Sequence, residues 1–161
     1  MLKKVVGIIS FLTLCLLVVP LAADAQQTGK VWRIGFLVPQ SRATTVDGGS
    51  GFREFLSGMR DLGYVEGKDF ILEWRFADGQ YERLPGLAAE LVQLKVDVII
   101  AFASPAIRAA RQATTSIPIV FPSTGDPVGS GFVASLARPG GNITGVSNEN
   151  VTVSAKLLEL L

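Results

Sequence analysis

Residues 96–107 read VDVIIAFASPAI, an apolar run that passes directly into a helix-start signal. The nearly continuous apolar character of residues 96–102 is typical of a parallel strand whose two faces are both covered. Ser104 and Pro105 follow, a side chain suited to capping a helix and a proline suited to its first turn. The stretch therefore predicts a buried β-strand followed at once by an α-helix, which is the repeating unit of a parallel α/β sheet.

The same alternation of strand and helix patterns continues along the rest of the chain. Apolar runs predict four further strands, at residues 31–38, 69–76, 117–121 and 143–146. Amphipathic spacing and capping signals predict helices at residues 51–62, 81–94, 104–113, 126–136 and 151–161. Pro85 fits only a first helical turn, which moves the expected start of the second helix toward Leu84. Right-handed crossovers between these units predict a doubly wound α/β fold, a parallel five-stranded sheet in the order 2-1-3-4-5.

The composition narrows the class of protein. The chain has 161 residues, a formal net charge of +1, 48% hydrophobic residues and 18% charged residues, which predicts one folded domain rather than a disordered chain. The balance of charge argues against nucleic-acid binding, because no excess of cations is available to neutralise phosphates. The sequence has no His, and its one cysteine is Cys15. The lack of His excludes Ser-His-Asp and Cys-His catalysis and His-ligated metals. The carboxylates in loops are scattered and form no pair spaced for acid–base work or metal binding. We predict no catalytic residues, no metal and no cofactor.

The start of the chain has the pattern of an export signal. Two lysines and the apolar residues 5–21 precede Ala23-Asp24-Ala25, whose small side chains match a signal peptidase site. Cleavage after this triplet divides the chain into a signal peptide at residues 1–25 and a domain at residues 26–161. An uncleaved membrane anchor is the alternative, although residues 5–21 are near the lower length limit for a membrane span. Cleavage predicts a periplasmic or other extracytoplasmic protein.

A ligand site is predicted where the strands end. Ligands of open parallel sheets bind beyond the carboxyl ends of the strands, near the point where strand order reverses. The turns after the first, third and fourth strands supply the candidate ligand-binding residues, which are Pro39, Gln40, Ser41, Ala103, Ser104, Pro105, Ser123, Thr124 and Asp126. Hydroxyls and helix-start N–H groups suit a carboxylate, and Asp126 suits an ammonium group. Ser104 and Asp126 are equally explained as helix caps, and the two roles can coexist.

Three longer stretches resemble a known family. They are FLSGMRDLGYVEGKDFILEWRFADGQYERLPGLAAELVQLKVDVIIA at residues 55–101, ATTSIPIVF at 113–121, and GDPVGSGFVASLARPGGNITGVS at 125–147. Together with the exported start, they resemble the substrate-binding proteins of ABC transporters, the family that includes tryptophan- and tyrosine-binding proteins. The resemblance covers about residues 31–161. It implies one lobe of a type I periplasmic-binding-protein-like fold, with the polar turns predicted above in the ligand cleft.

The resemblance also implies a function in solute transport. It implies a protein that captures a small molecule, an amino acid or similar organic anion, between two lobes and delivers it to a membrane permease and ATPase. Family members are longer, so residues 26–161 are expected to be the N-terminal lobe of a truncated sequence. A ligand-sensing domain of a membrane receptor is one alternative, because fold does not fix function. An exported hydrolase using Ser104 or Ser123 is the other, although no G-x-S-x-G motif is present.

Overall fold

The computed structural model describes residues 29–47 and 50–147 of the chain. The chain divides into two units, residues 1–30 and 31–161, and every strand and helix described here lies in the second. The strands are β1 (Trp32–Val38), β2 (Phe70–Phe76), β3 (Val98–Ala101), β4 (Ile119–Thr124) and β5 (Ile143–Ser147). The α-helices are α1 (Ser50–Asp61), α2 (Leu84–Gln93) and α3 (Ala103–Ala113), with a π-helical turn at Ala43–Asp47 and a 3-10 turn at Tyr81–Arg83.

The five strands form one parallel sheet in the order β2-β1-β3-β4-β5. Strand order reverses between β1 and β3, because β2 pairs with one edge of β1 and β3 with the other. The predicted α/β fold class and the predicted order 2-1-3-4-5 are therefore confirmed.

Each face of the sheet has its own apolar core, because successive side chains of a strand point to opposite faces. On the first face, α1 packs against the buried side chains of Ile34, Phe36, Val38 and Phe70. On the second face, α2 and α3 pack against a larger cluster that includes Leu37, Ile99, Ala101, Ile119 and Phe121. Residues 35 and 37 of β1 face one core and residues 34, 36 and 38 face the other, so this central strand is covered on both sides.

Two local signals set helix ends as the sequence predicts. Helix α2 begins at Leu84 and holds Pro85 in its first turn, where the missing N–H has no intrahelical partner to lose. Gly63 follows α1 with φ +86°, and its N–H donates to the carbonyl oxygen of Arg60 at 2.8 Å. Glycine adopts this left-handed conformation without steric cost, which allows the helix to end there.

The helix predicted for residues 126–136 is wrong, since the segment consists of turns and bends. Asp126 does act as a cap, because its Oδ1 accepts the N–H of Gly129 at 2.7 Å. That cap produces one turn only, and Gly131 then takes φ +70°, which is incompatible with a continuing helix. The segment still covers the second face of the sheet, where Phe132 and Val133 are buried.

Two predictions lie outside the described residues, the signal peptide at 1–25 and the last helix at 151–161. Within residues 29–47 and 50–147, no helix is long and apolar enough to cross a bilayer.

Candidate ligand-binding cleft

The register of the sheet brings the candidate turns to one edge. Leu37 pairs with Ala101, and the N–H of Phe102 donates to the carbonyl oxygen of Leu37 at 3.1 Å. At the same edge, Thr124 of β4 pairs with Ser147 of β5. The turns after β1, β3 and β4 therefore all emerge at the carboxyl edge of the sheet, and the point between β1 and β3 where strand order reverses lies among them.

The turn after β1 is fixed by hydrogen bonds to its backbone carbonyl oxygens. Pro39 is buried, and its carbonyl oxygen accepts the N–H of Gly79 at 2.8 Å. The carbonyl oxygen of Ser41 accepts the hydroxyl of Thr44 at 3.0 Å, which folds the next residues back on the turn. Gln40, between these two anchored residues, is exposed. Of the three predicted residues, Gln40 is the one that presents an exposed side chain at the sheet edge.

The turn after β3 differs from the prediction by one residue. Ala103 takes φ +62° and is already the first residue of α3, so the N-cap is Phe102 and no side-chain cap hydrogen bond forms. The predicted capping role of Ser104 is therefore wrong, because the chain turns into the helix before Ser104 is reached. Ser104 and Pro105 are half-buried residues of the first turn. The N–H groups of a first helical turn have no intrahelical partner, so they are available to an anion.

The end of β4 and the turn after it combine one buried hydroxyl with exposed polar groups. The prediction that the fourth strand ends at residue 121 is wrong, since Ser123 and Thr124 are the last two residues of β4. Thr124 is 9% exposed, whereas Ser123 and Asp126 are exposed. One carboxylate oxygen of Asp126 accepts the N–H of Gly129, and the backbone carbonyl oxygen of Asp126 accepts the N–H of Ser130 at 3.1 Å. A carboxylate accepts several hydrogen bonds at once, so capping and contact with a ligand cation are compatible at Asp126.

The structure adds Ser147 to the polar groups at this edge. Its Oγ is buried and has no hydrogen-bond partner in the part of the chain that the structure describes. Ser147 pairs with Thr124 just beyond a register shift between Phe121 and Thr124. A buried hydroxyl without a partner is unfavourable by about 1–3 kcal/mol. The apolar pattern of the fifth strand ends at Val146, whereas β5 extends to Ser147, so the sequence does not indicate this hydroxyl.

An aromatic cluster lies beside these polar turns on the face that α1 covers. Phe36 stacks on Trp74 with 4.2 Å between ring centroids, and Trp74 stacks on Phe76 at 5.3 Å. The other rings of this aromatic cluster are Phe52, Phe55 and Phe102. The cluster joins strands and a helix that are distant in sequence, so no local sequence pattern signals it.

The opposite edge of the sheet carries a separate depression of about 530 Å³. Asn142 and Ile143, at the start of β5, line it together with Arg111 and Phe132. Arg111 donates to the carbonyl oxygen of Gly131 there. None of the nine predicted site residues lines this depression, so it is distinct from the predicted site.

The carboxyl edge offers hydroxyls, backbone N–H groups and one carboxylate, and it offers little that suits a metal. Among the described residues, no three His, Cys, Asp or Glu side chains lie close enough together to hold a metal ion. The arrangement can hold a small polar molecule through hydrogen bonds. The sheet is that of a doubly wound α/β domain, a class in which polar turns at the carboxyl ends of parallel strands can hold a ligand.

Comparison with known proteins gives the family. A model of the family described as ABC transporter substrate binding protein matches residues 36–161. The chain belongs to this family, and the resemblance stated from the sequence is confirmed.

Individual relatives agree with this membership. The tyrosine-binding protein of Clostridioides difficile strain R20291 is 35% identical over 94 residues, which is 58% of this chain and 27% of that protein. The ABC domain from Streptococcus pneumoniae in complex with L-Trp has 25% identity and a TM-score of 0.64, covering 73% of this chain and 39% of that one. The ligand-free, open structure of a substrate binding protein with adhesive properties from Clostridium difficile has 27% identity and a TM-score of 0.68, covering 81% and 43%. The chain thus spans less than half the length of each.

Proposed function

We propose that this chain is the N-terminal lobe of the extracytoplasmic solute-binding component of an ABC importer. In this proposal, residues 1–25 are a signal peptide and residues 26–161 supply one wall of an inter-lobe cleft. The ligand is an amino acid or a similar organic anion. The observation that carries the proposal is the convergence of three polar turns on the carboxyl edge of a parallel sheet, in a chain that matches a substrate-binding family over residues 36–161. The tyrosine-binding relative and the complex with L-Trp support an amino acid as ligand.

The polar groups at the edge divide into two chemical types. The ligand carboxylate is bound by the hydroxyls of Ser104, Ser123 and Thr124 and by the first N–H groups of α3. All of these groups donate hydrogen bonds toward negative charge. Asp126 binds the ligand ammonium group with the part of its carboxylate that Gly129 leaves available. Gln40 is exposed at the end of β1 and contributes an amide group to the same edge.

Transport follows from closure of two lobes on the ligand. The relatives are more than twice as long as the regions that match this chain, which leaves room for a second lobe. A ligand that contacts both lobes favours the closed state by its differential affinity, and a permease with its ATPase recognises that state. The protein binds its ligand and catalyses no reaction on it, as the substrate-binding relatives support.

The proposal is tested by mapping ligand contacts on the exported chain by NMR. Adding L-tryptophan, L-tyrosine or L-glutamate should shift the amides of residues 40, 104 and 123–126 while leaving those at the opposite edge unchanged. Ser104→Ala should weaken binding about 10-fold, because a hydrogen bond to a charged group is lost. Ser57→Ala is the matched control, since Ser57 is exposed on α1 away from these turns.

Two results would contradict the proposal. One is that no amino acid or organic acid shifts any amide at the carboxyl edge. The other is that Ser104→Ala and Ser57→Ala weaken binding equally. The export part is checked separately by the mass of the protein secreted by a bacterial host, which should correspond to a chain beginning at Gln26.

A further inference from the structure

The depression where β5 begins is lined by apolar side chains and one arginine. Its volume of about 530 Å³ lies within the range of small-molecule sites. Val133 and Ile143 line it and belong to the core of the second sheet face, so this part of the lining is apolar and fixed in position. Arg111, in the last turn of α3, brings a positive charge to the same lining. The depression therefore offers apolar contact and a cation to one ligand.

The guanidinium of Arg111 keeps most of its capacity for hydrogen bonding. One N–H donates to the carbonyl oxygen of Gly131, and an arginine side chain has five such donors. Arg108, one turn earlier, lies with its Cζ 5.8 Å from the ring centroid of Phe132, another lining residue. Within the part of the chain that the structure describes, neither arginine forms an ion pair with a carboxylate. Both charges are therefore available to an anion.

Two backbone N–H groups face the same space as Arg111. Gly140 and Gly141 line the depression and take left-handed φ values of +70° and +65°. Both glycines are exposed, and among the described residues neither N–H donates a backbone hydrogen bond. Successive free N–H groups in turns make concave sites for anions. The glycines thus add donors to the charge of Arg111.

The charge of the surrounding chain also favours an anion. Residues 98–147 contain three arginines and a single acidic residue, Asp126, so their formal charge is +2. Asp126 follows β4 at the carboxyl edge, where its carboxylate accepts the N–H of Gly129. A region of positive charge attracts anions over about 10 Å in 0.1 M salt. The depression lies in this positive part of the domain.

The walls of the depression are held in place by hydrogen bonds. The N–H of Ala134 donates to the carbonyl oxygen of Pro139 at 2.7 Å, which closes the loop that forms one wall. Nδ2 of Asn142 donates to the carbonyl oxygen of Ile117, also at 2.7 Å, which ties the start of β5 to the chain before β4. A site that is ordered beforehand loses little conformational entropy when a ligand binds.

We propose that this depression is a second ligand site, which binds an organic anion with a small apolar body. A carboxylate or phosphate group is held by Arg111 and by the N–H groups of Gly140 and Gly141, and the apolar body contacts Val133 and Ile143. The site lies at the edge of the sheet opposite the three polar turns, so it does not depend on the function proposed for them. A ligand at the carboxyl edge and an anion here can be bound at the same time.

NMR titration of the exported chain with phenyl phosphate and with phenylacetate tests the site. Both probes should shift the amides of residues 131–143 and the Nε–H of Arg111, and the probe with the lower Kd identifies the preferred anionic group. Inorganic phosphate and phenol each lack one half of the ligand and should bind about 10-fold more weakly. L-tryptophan, the probe for the carboxyl edge, should not displace either anion.

One pair of charge-removing variants separates the site from general electrostatics. Arg111→Gln should raise the Kd of the better probe about 10-fold, because a charged hydrogen-bond donor is lost. Arg53→Gln is the matched control, since Arg53 is exposed on α1 and its removal changes the net charge equally. This control should leave the Kd unchanged. Arg108→Gln should raise the Kd about 2- to 3-fold through the weaker local potential.

Two results would overturn this second site. One is that neither probe shifts the amides of residues 131–143. The other is that Arg111→Gln and Arg53→Gln weaken binding equally, because the anion would then respond to net charge alone. The thermal unfolding midpoint identifies a variant that has lost its fold, and Arg108→Gln decides if Arg111→Gln does not fold. Each of these results leaves the function proposed for the carboxyl edge unaffected.

Discussion

Ala103 adopts a backbone conformation that residues other than glycine rarely take. Its φ of +62° lies in the left-handed region, which is unfavourable by about 1–2 kcal/mol for a residue with a Cβ atom. This one dihedral angle decides how β3 enters α3 and why Ser104 sits inside the helix instead of capping it. The strain lies at the carboxyl edge, where backbone strain is commonly found when an edge serves a ligand.

Replacing Ala103 by glycine tests this strain directly. Ala103→Gly should raise the free energy of unfolding by about 0.5–1 kcal/mol, because glycine adopts this φ without steric cost. Ala109→Gly is the control, since Ala109 is buried in the middle of α3, and it should lower the free energy of unfolding by about 1 kcal/mol. Urea unfolding followed by circular dichroism measures both. A loss of stability in Ala103→Gly similar to that in Ala109→Gly would contradict the strained conformation.

At the scale of elements, the segment from Asp126 to Asn142 shows how a correct local signal can predict the wrong element. Its cap and proline are typical of a helix start, and one turn does form. Glycines then allow conformations that a helix lacks, and Ala134 donates its N–H to the carbonyl oxygen of Pro139 at 2.7 Å, which closes a loop. The burial of Phe132 and Val133 provides the apolar cover that a helix would otherwise supply.

The sign of one substitution distinguishes the loop from the predicted helix. Gly131→Ala should lower the free energy of unfolding by about 1 kcal/mol, because Gly131 has φ +70° in the loop. In a helix, the same change would raise it by about 1 kcal/mol. Gly58→Ala is the internal reference, since Gly58 is in α1 with open space around its Cβ position, and it should be stabilising. Thermal unfolding of the unsubstituted protein and of the two variants measures both changes. Stabilisation by both substitutions would favour the predicted helix at residues 126–136 over the loop.

The strands could be predicted because each depends on information within one segment, and their order because the connections between them follow a fixed handedness. Apolar runs such as residues 96–102 identify buried strands, and the handedness of crossovers then orders them. The loss of the capping role at Ser104 could not be predicted, since it depends on a single dihedral angle at Ala103. Ser147 and the aromatic cluster were missed for another reason. They become apparent only when the pairing of Thr124 with Ser147 and of Phe36 with Trp74 is known.

At the scale of the whole molecule, the groups suited to binding an amino acid lie at the carboxyl edge of the sheet. The carboxyl edge brings hydroxyls and helix-start N–H groups together where strand order reverses, beside the aromatic cluster. In the two-lobed protein proposed above, residues 31–147 supply these groups as one wall of the site. Small-molecule sites bury about 70–90% of their ligand. The affinity of this chain alone should therefore be limited by the area of ligand that one wall covers.

This limit predicts weak binding by residues 26–161 alone. If one wall makes about half of the contacts, a binding free energy near −8 kcal/mol, corresponding to about 1 µM, falls to near −4 kcal/mol, corresponding to about 1 mM. NMR titration with L-tryptophan should thus give a Kd on the order of 1 mM. Calorimetry at micromolar protein concentration should show no heat of binding, whereas a relative with both lobes should serve as the positive control. A micromolar Kd for the chain alone would mean that one wall is sufficient, and the cleft between two lobes would then be the wrong description of the site.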